Sequence, residues 1–421
     1  MSRTRESQGL HEVRRSDRAV LVGVDPDRDL EELRLLAESA GVEVVGEFCQ
    51  KRAEPNPNTY LGHGKAQELG VLAESVGANT VITDDDLTPA QQRNLEEIVH
   101  ADVLDRTQLI LRIFADRAHT REGKLQVELA RLTYMQARLT GRGHELSRLG
   151  GAVGMRGGPG ETKLEADRRR IRKRIDEIDA ELEEVRRQRG QARKSRRRLP
   201  FPAVALVGYT SAGKSTLLNA LSGSEVATDE RLFATLDPTT RRVLLPSGWG
   251  VLMTDTVGFI ERLPHHLVAA FRATLEEVTE ADLLVHVVDA SHPQREAQML
   301  AVKAVLTELG AGTKPVVTAL NKSDKVADAY ELRREVASRP DTVSISALKR
   351  EGLHDLLMTL ERAVQRLLVP VRAALPYSMS HILPVCYESG KVEKVEYGRD
   401  AILVEGRFTR DVANRLRGYQ V

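Results

Sequence analysis

The chain is 421 residues long, with 41% hydrophobic and 4% aromatic residues, two cysteines, and 62 Lys and Arg against 61 Asp and Glu for a net charge of +1. This length suits two or three domains, each with its own core, and the balanced charge excludes a global polycation, so any nucleic-acid contact has to be local. A disulfide framework, a membrane span of ~20 apolar residues, a signal peptide within MSRTRESQGLHEVRRSDRA and single-strand recognition by stacked aromatics all lack support, which leaves a cytoplasmic multidomain protein as the expectation.

After a tail at residues 1–17, residues 18–116 alternate apolar runs with helical patterns. Strands are expected at Val20 to Val24, Val42 to Phe48, Thr80 to Thr83 and Val103 to Leu104, with helices near Leu30 to Ser39, Lys65 to Val76 and Pro89 to Ile98. Such β/α alternation implies a small parallel sheet covered by helices. No G-x-G-x-x-G occurs here, so a dinucleotide role has little support. The stretch TYLGHGK, Thr59 to Lys65, reads either as a Gly-rich anion-binding helix start or as a tight turn with a lone His63. Cys49 and Cys386 both lie in strand-like apolar stretches, without metal-ligand spacing.

Residues 117–198 carry two apolar seams at helical spacing. Leu125, Leu129, Leu132, Met135 and Leu139 form one; Leu164, Ile171, Ile175, Ile178, Leu182 and Val185 form the other. An antiparallel helical hairpin is expected, its second helix ~30 Å long from Leu164 to Val185. Between the seams, residues 141–163 look too glycine-rich for regular structure and form the tip. Arg142, Arg148, Arg156 and Lys163 there suit contact with an RNA backbone, as glycines allow close approach. Arg186 to Arg198, RRQRGQARKSRRR, reads equally as a solvated connector and as an electrostatic contact to RNA.

Residues 199–370 hold four short segments in a fixed order. Gly208, Tyr209, Thr210, Ser211, Ala212, Gly213, Lys214 and Ser215 fit G-x-x-x-x-G-K-S between an apolar strand, Ala203 to Val207, and a helix that runs from Ser215 through Thr216 to Leu221. That strand-loop-helix context is what a phosphate-binding loop needs: backbone N–H groups and the helix start receive the phosphates. Lys214 would reach the β- and γ-phosphates, and the Ser215 hydroxyl would hold Mg²⁺. The strand Leu252 to Thr254 delivers Asp255, Thr256, Val257 and Gly258, the first to order a Mg²⁺ water and the last to give its N–H to the γ-phosphate. The strand Val316 to Leu320 ends in Asn321, Lys322, Ser323 and Asp324, which resembles a guanine-reading loop, with Ser346, Ala347 and Leu348 further on. Asp324 would accept from the two adjacent N–H donors of guanine, a pair that adenine lacks, and such readers discriminate by ~10⁴ or more. GTP is therefore the expected substrate.

A helix from Leu353 to Leu368 leads into residues 371–421. Strands are expected there at Ile382 to Cys386, Lys391 to Tyr397 and Ala401 to Arg407, and a helix near Arg410 to Arg417, giving a small α+β domain. The fold class read for the whole chain is multidomain α/β.

TYLGHGK, RGGPGETKLE (Arg156 to Glu165), GYTSAGKSTLLN and LFATLDPTTR (Leu232 to Arg241) together resemble the HflX family of ribosome-associated GTPases, over nearly the whole chain from about residue 18. The resemblance implies a Ras-like GTPase domain and binding to the large ribosomal subunit and its RNA, with subunit separation under stress and the hairpin tip near the peptidyl transferase centre. It also implies a first switch at Phe233, Ala234, Thr235, Leu236 and Asp237, with Thr235 on Mg²⁺ and Thr239 as second choice. The catalytic set is then Lys214, Thr235 and Gly258; Ser215 and Thr235 meet the metal directly, and Asp255 meets it through water. The free protein is expected to be a monomer.

Two positions depart from expectation. Family members commonly have Asn where this chain has Ser211, so a potassium site lacks its usual ligand. The residue after DTVG is Phe259, usual for the family, where many Ras-like proteins place a water-orienting Gln; slow hydrolysis is implied unless another group is supplied. His265 and His266 nearby read mainly as surface residues. Two other function classes stay open, an RNA-remodelling enzyme and a GTP-gated assembly module without a ribosomal target.

Overall fold

The computed structural model describes residues 17–24, 29–149, 163–196, 201–223, 232–233, 235–260 and 272–421. Ala234, Arg156, His265, His266 and most of the hairpin tip lie outside the described residues. The described chain forms two compact units, Asp17–Glu183 and Glu184–Val421.

In the first unit, β1 (Arg18–Gly23), β2 (Glu43–Cys49), β3 (Thr80–Thr83) and β4 (Asp102–Asp105) make a parallel sheet in the order β2-β1-β3-β4. Ala19 to Val22 and Thr80 to Thr83 are buried as continuous runs, as strands covered on both faces must be. The covering helices are α1 (Glu31–Ser39), α2 (His63–Ser75), α3 (Pro89–Val99) and α4 (Arg106–Arg117). Thr88 starts α3 through a capping box with Gln91, followed by Pro89 at the first helical position. α4 was not anticipated, because Arg106 to Leu111 are all buried and leave no polar face for a period to appear against. TYLGHGK forms a turn that opens α2 at His63, a geometry common to both of its readings. Tyr60 and Leu61 fill the core, Tyr60 donates to Asp85 Oδ2 at 2.9 Å, and His63 is exposed.

The arm consists of α5 (Arg121–Leu149) and α6 (Lys163–Arg196). Arg121 pairs with Glu181, Glu128 with Arg174, and the Leu139 carbonyl with Arg168, so one number falls as the other rises and the helices are antiparallel. Ile178 and Leu182 are sealed against Leu125, Leu129 and Leu132. Two expectations need correction. Residues 141–149 are helical despite their glycines, because they continue an already nucleated helix and each adds a hydrogen bond at a cost of only ~1 kcal/mol per Gly. Arg186 to Arg196 is also helix, so this part of the basic segment is not an irregular connector.

A buried carboxylate ties the arm to the sheet within this unit. Asp105 caps α4 by accepting from the Gln108 N–H at 3.0 Å, and its second oxygen accepts from Tyr134 at 2.6 Å and Arg138 at 3.0 Å, both on α5. Arg138 also reaches the Leu87 carbonyl at 3.1 Å.

The second unit has β5 (Ala203–Val207), α7 (Lys214–Ser222), β6 (Thr239–Leu244), β7 (Gly250–Asp255), β8 (Leu283–Asp289), β9 (Val316–Asn321) and β10 (Thr342–Ser344). The sheet order is β10-β9-β8-β5-β7-β6, parallel except for β6. Val204, Leu206, Met253, Val285, Val287 and Val317 pack with Leu217 of α7 and with Leu356 and Leu360 of the helix Leu353–Leu367.

Three antiparallel strands follow, β11 (Val369–Pro376), β12 (Gly390–Tyr397) and β13 (Ala401–Phe408), in the order β11-β13-β12. The expected strand Ile382 to Cys386 is instead the start of a helix, Ile382–Ser389, whose buried Ile382 and Cys386 are one turn apart. A short apolar run does not distinguish the two. The third strand is β11, which begins before residue 371. Among the described residues no helix is long and apolar enough to cross a membrane.

Asp105→Ala should destabilise the N-terminal unit by about 3–5 kcal/mol, since it removes the carboxylate that balances the part-buried Arg138 guanidinium, whereas Tyr134→Phe should cost only about 1 kcal/mol. Denaturant unfolding followed by circular dichroism measures both, and equal small losses would show that the cluster does not anchor α5.

Candidate nucleotide site

Every expected segment of the GTPase region leaves the same edge of one sheet. The loop after β5, Asp255 at the end of β7, Asn321 at the end of β9 and Ser346 just after β10 all lie at the carboxyl ends of parallel strands, where α/β sheets place their ligands. The loop residues, Asn321 and Ser346 line a cavity of about 290 Å³ together with Phe233, Thr235, Gly258, Lys325 and Leu348.

At the phosphate end, Lys214 is buried and donates to the carbonyls of Gly208 at 3.1 Å and Tyr209 at 2.8 Å. Burial lowers its pKa to about 8, while the charge of Asp255 works the other way. Ser211 has a φ of 59°, a left-handed conformation that Asn tolerates better than Ser. The Ser215 hydroxyl donates to Asp255 Oδ2 at 2.6 Å, the Thr235 hydroxyl donates to the same oxygen at 2.6 Å, and the two hydroxyls are 2.8 Å apart. The three residues assigned to the metal are thus brought together. Thr239, the second choice, is exposed at the start of β6, where its backbone lies opposite Asp255. Asp255 is held above its usual carboxylate range by burial, and its Oδ1 is buried without a partner among the described residues. Two hydroxyls and an unsatisfied carboxylate oxygen are a donor set suited to a hard divalent cation.

Gly258 passes directly under the loop. A Cβ there would lie 2.7 Å from Thr210 Cα, so only glycine fits. Phe259 is buried, and its backbone pairs with the loop, giving its N–H to Gly208 at 3.1 Å and accepting from Thr210 at 2.7 Å. Its side chain is a packing element and cannot orient water. Thr256 and Val257 are buried, and Thr256 donates to the Leu206 carbonyl at 2.6 Å. Of the first switch, Phe233 and Leu236 are buried and Asp237 half-buried.

At the base end, Asn321 joins three segments. Its Nδ2 donates to the Ala212 carbonyl at 2.8 Å, and its Oδ1 accepts from the Ala347 N–H at 2.9 Å. Asp324 accepts from the Ser346 hydroxyl at 2.6 Å, the leading reason its carboxyl lies below its usual range. Lys322, at φ 61°, pairs with Asp289 Oδ2 at 2.6 Å. Although burial opposes it, that pairing and the Ser291 hydroxyl hold Asp289 below its usual range. Asp289 was missed from sequence; its signal was the buried run Leu283 to Val288 ending in a carboxylate. His286, also missed, is kept neutral by burial and then by the Lys214 charge, with its pKa lowered to about 4.

Comparison with known proteins fits this geometry. Residues 27–115 match a family described as GTP-binding GTPase N-terminal, 117–196 its GTP-binding GTPase Middle Region, and 203–322 a 50S ribosome-binding GTPase family. A GTPase HflX of Caldanaerobacter subterraneus subsp. tengcongensis is 45% identical, covering 96% of this chain and 94% of that protein. The chain belongs to the HflX family of GTPases. A second HflX, from Escherichia coli, is 43% identical over 90% of each chain. A crystal structure of an SsGBP and GDP complex is similar at a TM-score of 0.50 and 26% identity, covering 83% of this chain and 99% of that one. As an HflX-family member the chain is a GTP hydrolase of multidomain α/β architecture.

Asn321→Ala should leave the Ala212 carbonyl and Ala347 N–H unpaired in a buried site and cost about 2 kcal/mol or more. Thermal unfolding without nucleotide should show this loss, and an unchanged midpoint would mean that the three segments hold one another without Asn321.

Proposed function

We propose that this chain couples GTP binding and hydrolysis to association with the large ribosomal subunit and its RNA, and separates or rescues ribosomes under stress. The observation that carries the proposal is the meeting of three separate segments at one point, the Ser215, Thr235 and Asp255 cluster with Gly258 beside it. A γ-phosphate there would order both switches at once, and its loss would release both. The match of residues 203–322 to a 50S ribosome-binding family supports this choice of partner.

In this reading GTP lies along the cavity, with guanine on Asp324 and Asn321, Leu348 beside it, and phosphates on Lys214 and the loop N–H groups. Ser215 and Thr235 would hold Mg²⁺ directly and Asp255 would hold it through a water; the ion spreads charge that builds on the phosphates. Lys214 would exchange its contacts with the Gly208 and Tyr209 carbonyls for phosphate oxygens. The Phe259 side chain cannot orient water by hydrogen bonding, and other GTPases gain ~10³ to 10⁵ in rate from groups that do. The isolated protein is then a slow enzyme and a monomer. Docking on the ribosome would fix the switches and lower the entropic part of the barrier, and GTP should in turn tighten binding to the large subunit. The setting that follows is the cytoplasm.

Asp324→Asn should weaken GTP binding strongly and shift preference toward xanthosine triphosphate, because the amide pairs with an oxygen at the second position of the base. Competition binding of the two triphosphates measures the shift, and equal affinity of the unmodified protein for ATP and GTP would overturn the base assignment.

Turnover with and without large subunits at fixed salt, beside affinity in GTP-analogue and GDP states, tests the coupling. Stimulation and tighter binding with GTP are expected; the absence of both would overturn the switch. Replacing Gly157 to Thr162 by a short neutral linker should leave GTP binding intact while ribosome-dependent turnover falls.

A further inference from the structure

The second unit contains a larger cavity that shares no residue with the nucleotide site. It measures about 520 Å³ and lies between the C-terminal part of the helix Leu353–Leu367 and the outward face of the β12–β13 pair. Arg362 and Arg366 come from the helix, Lys391 from β12 and Arg407 from β13. Against these four cations stand two carboxylates: Asp341, 2.6 Å from Arg366, and Glu393, 3.9 Å from Arg407. Among the described residues neither Arg362 nor Lys391 has a carboxylate partner.

Each wall is built against its own electrostatics. Arg362 and Arg366 are four residues apart on one helix, a like-charge spacing that destabilises it. Lys391 and Arg407 are directly opposite each other across the β12–β13 ladder, where like charges also repel. Both repulsive pairs point into the same cleft, and both are relieved when an anion sits between them. The cleft has no aromatic lining on which a base could stack, so charge is what it offers a ligand. Two walls of cations with no aromatic side chain between them fit a phosphodiester backbone, reached mainly through its charge.

We propose that this cleft binds RNA through successive phosphates, giving the C-terminal domain its own contact with ribosomal RNA. The proposal rests on the ribosomal reading above and assigns a site to it. The sheet face and the helix then act as two jaws that set how the GTPase domain and the β11–β13 domain lie along one RNA strand.

The test uses the full-length protein and a double variant, Arg362→Gln with Lys391→Gln, which takes one uncompensated cation from each wall. Binding to intact large subunits and to protein-free large-subunit RNA is measured across a salt series. The variant should bind both at least about fivefold more weakly near physiological salt, with the slope of log affinity against log salt shallower by about 1.4 to 1.8, the value for two lost phosphate contacts. GTP affinity and turnover without ribosomes should not change. The pair Arg362→Lys with Lys391→Arg should restore binding, which excludes misfolding as the cause. Wild-type affinity and slope in the Gln variant on both probes would overturn the cleft. A loss on intact subunits with none on protein-free RNA would assign it to an acidic ribosomal protein and also overturn the RNA proposal. If the unmodified protein binds no large subunits in any nucleotide state, the ribosomal reading fails separately, and the protein-free RNA series still decides the cleft.

Discussion

The side chain of Asn321 is the constraint on which the nucleotide site depends. One amide group satisfies a carbonyl of the phosphate loop and an N–H of the Ser346 to Leu348 turn, segments more than a hundred residues apart from each other in the chain. Both partners are buried, so neither can turn to water if the amide leaves. The distance between phosphate end and base end is therefore set by one rigid planar group at the end of β9. Gly213 belongs to the same contact, because any side chain there would strike the Asn321 amide.

Around that brace the site sorts its charges by environment. The Lys214 ammonium and the Asp255 carboxylate are both desolvated, and burial pushes each toward its neutral form. Such groups gain most from a ligand that brings the opposite charge, since little water has to be displaced. Asp324 is the reverse case, an accessible carboxylate kept ionised by the Ser346 hydroxyl and so ready to accept two N–H donors from a base. Chemistry is concentrated at the buried end and recognition at the open one.

The first unit solves a different problem. Among the described residues, the narrow seam of this antiparallel pair of long helices consists of Leu125, Ile178 and Leu182 with two half-buried neighbours. Its base is held instead by polar groups in a dry place, where Asp105 takes hydrogen bonds from α4 and α5 together. Directional bonds of this kind fix an angle, which a smooth apolar seam cannot do.

Much of this was legible in the residues themselves. The alternation of strands and helices in residues 18–116, the two arm seams, and the four loop segments after apolar strands all follow local rules of period, capping and turn chemistry, which act over a few neighbours. The wrong or missing elements fail for a shared reason. α4, the helix Ile382–Ser389 and residues 141–149 are decided by what surrounds them: burial on all sides hides a period, a short apolar run suits either element, and an existing helix carries glycines that would not start one. The sequence by itself determined which residues are suited to phosphate, metal and guanine. Only the tertiary structure decided that Thr235 meets Ser215 and Asp255, that Asp289 steadies Lys322, and that cations from a helix and two strands share one cleft. Those are distances between segments remote in the chain, and packing sets them.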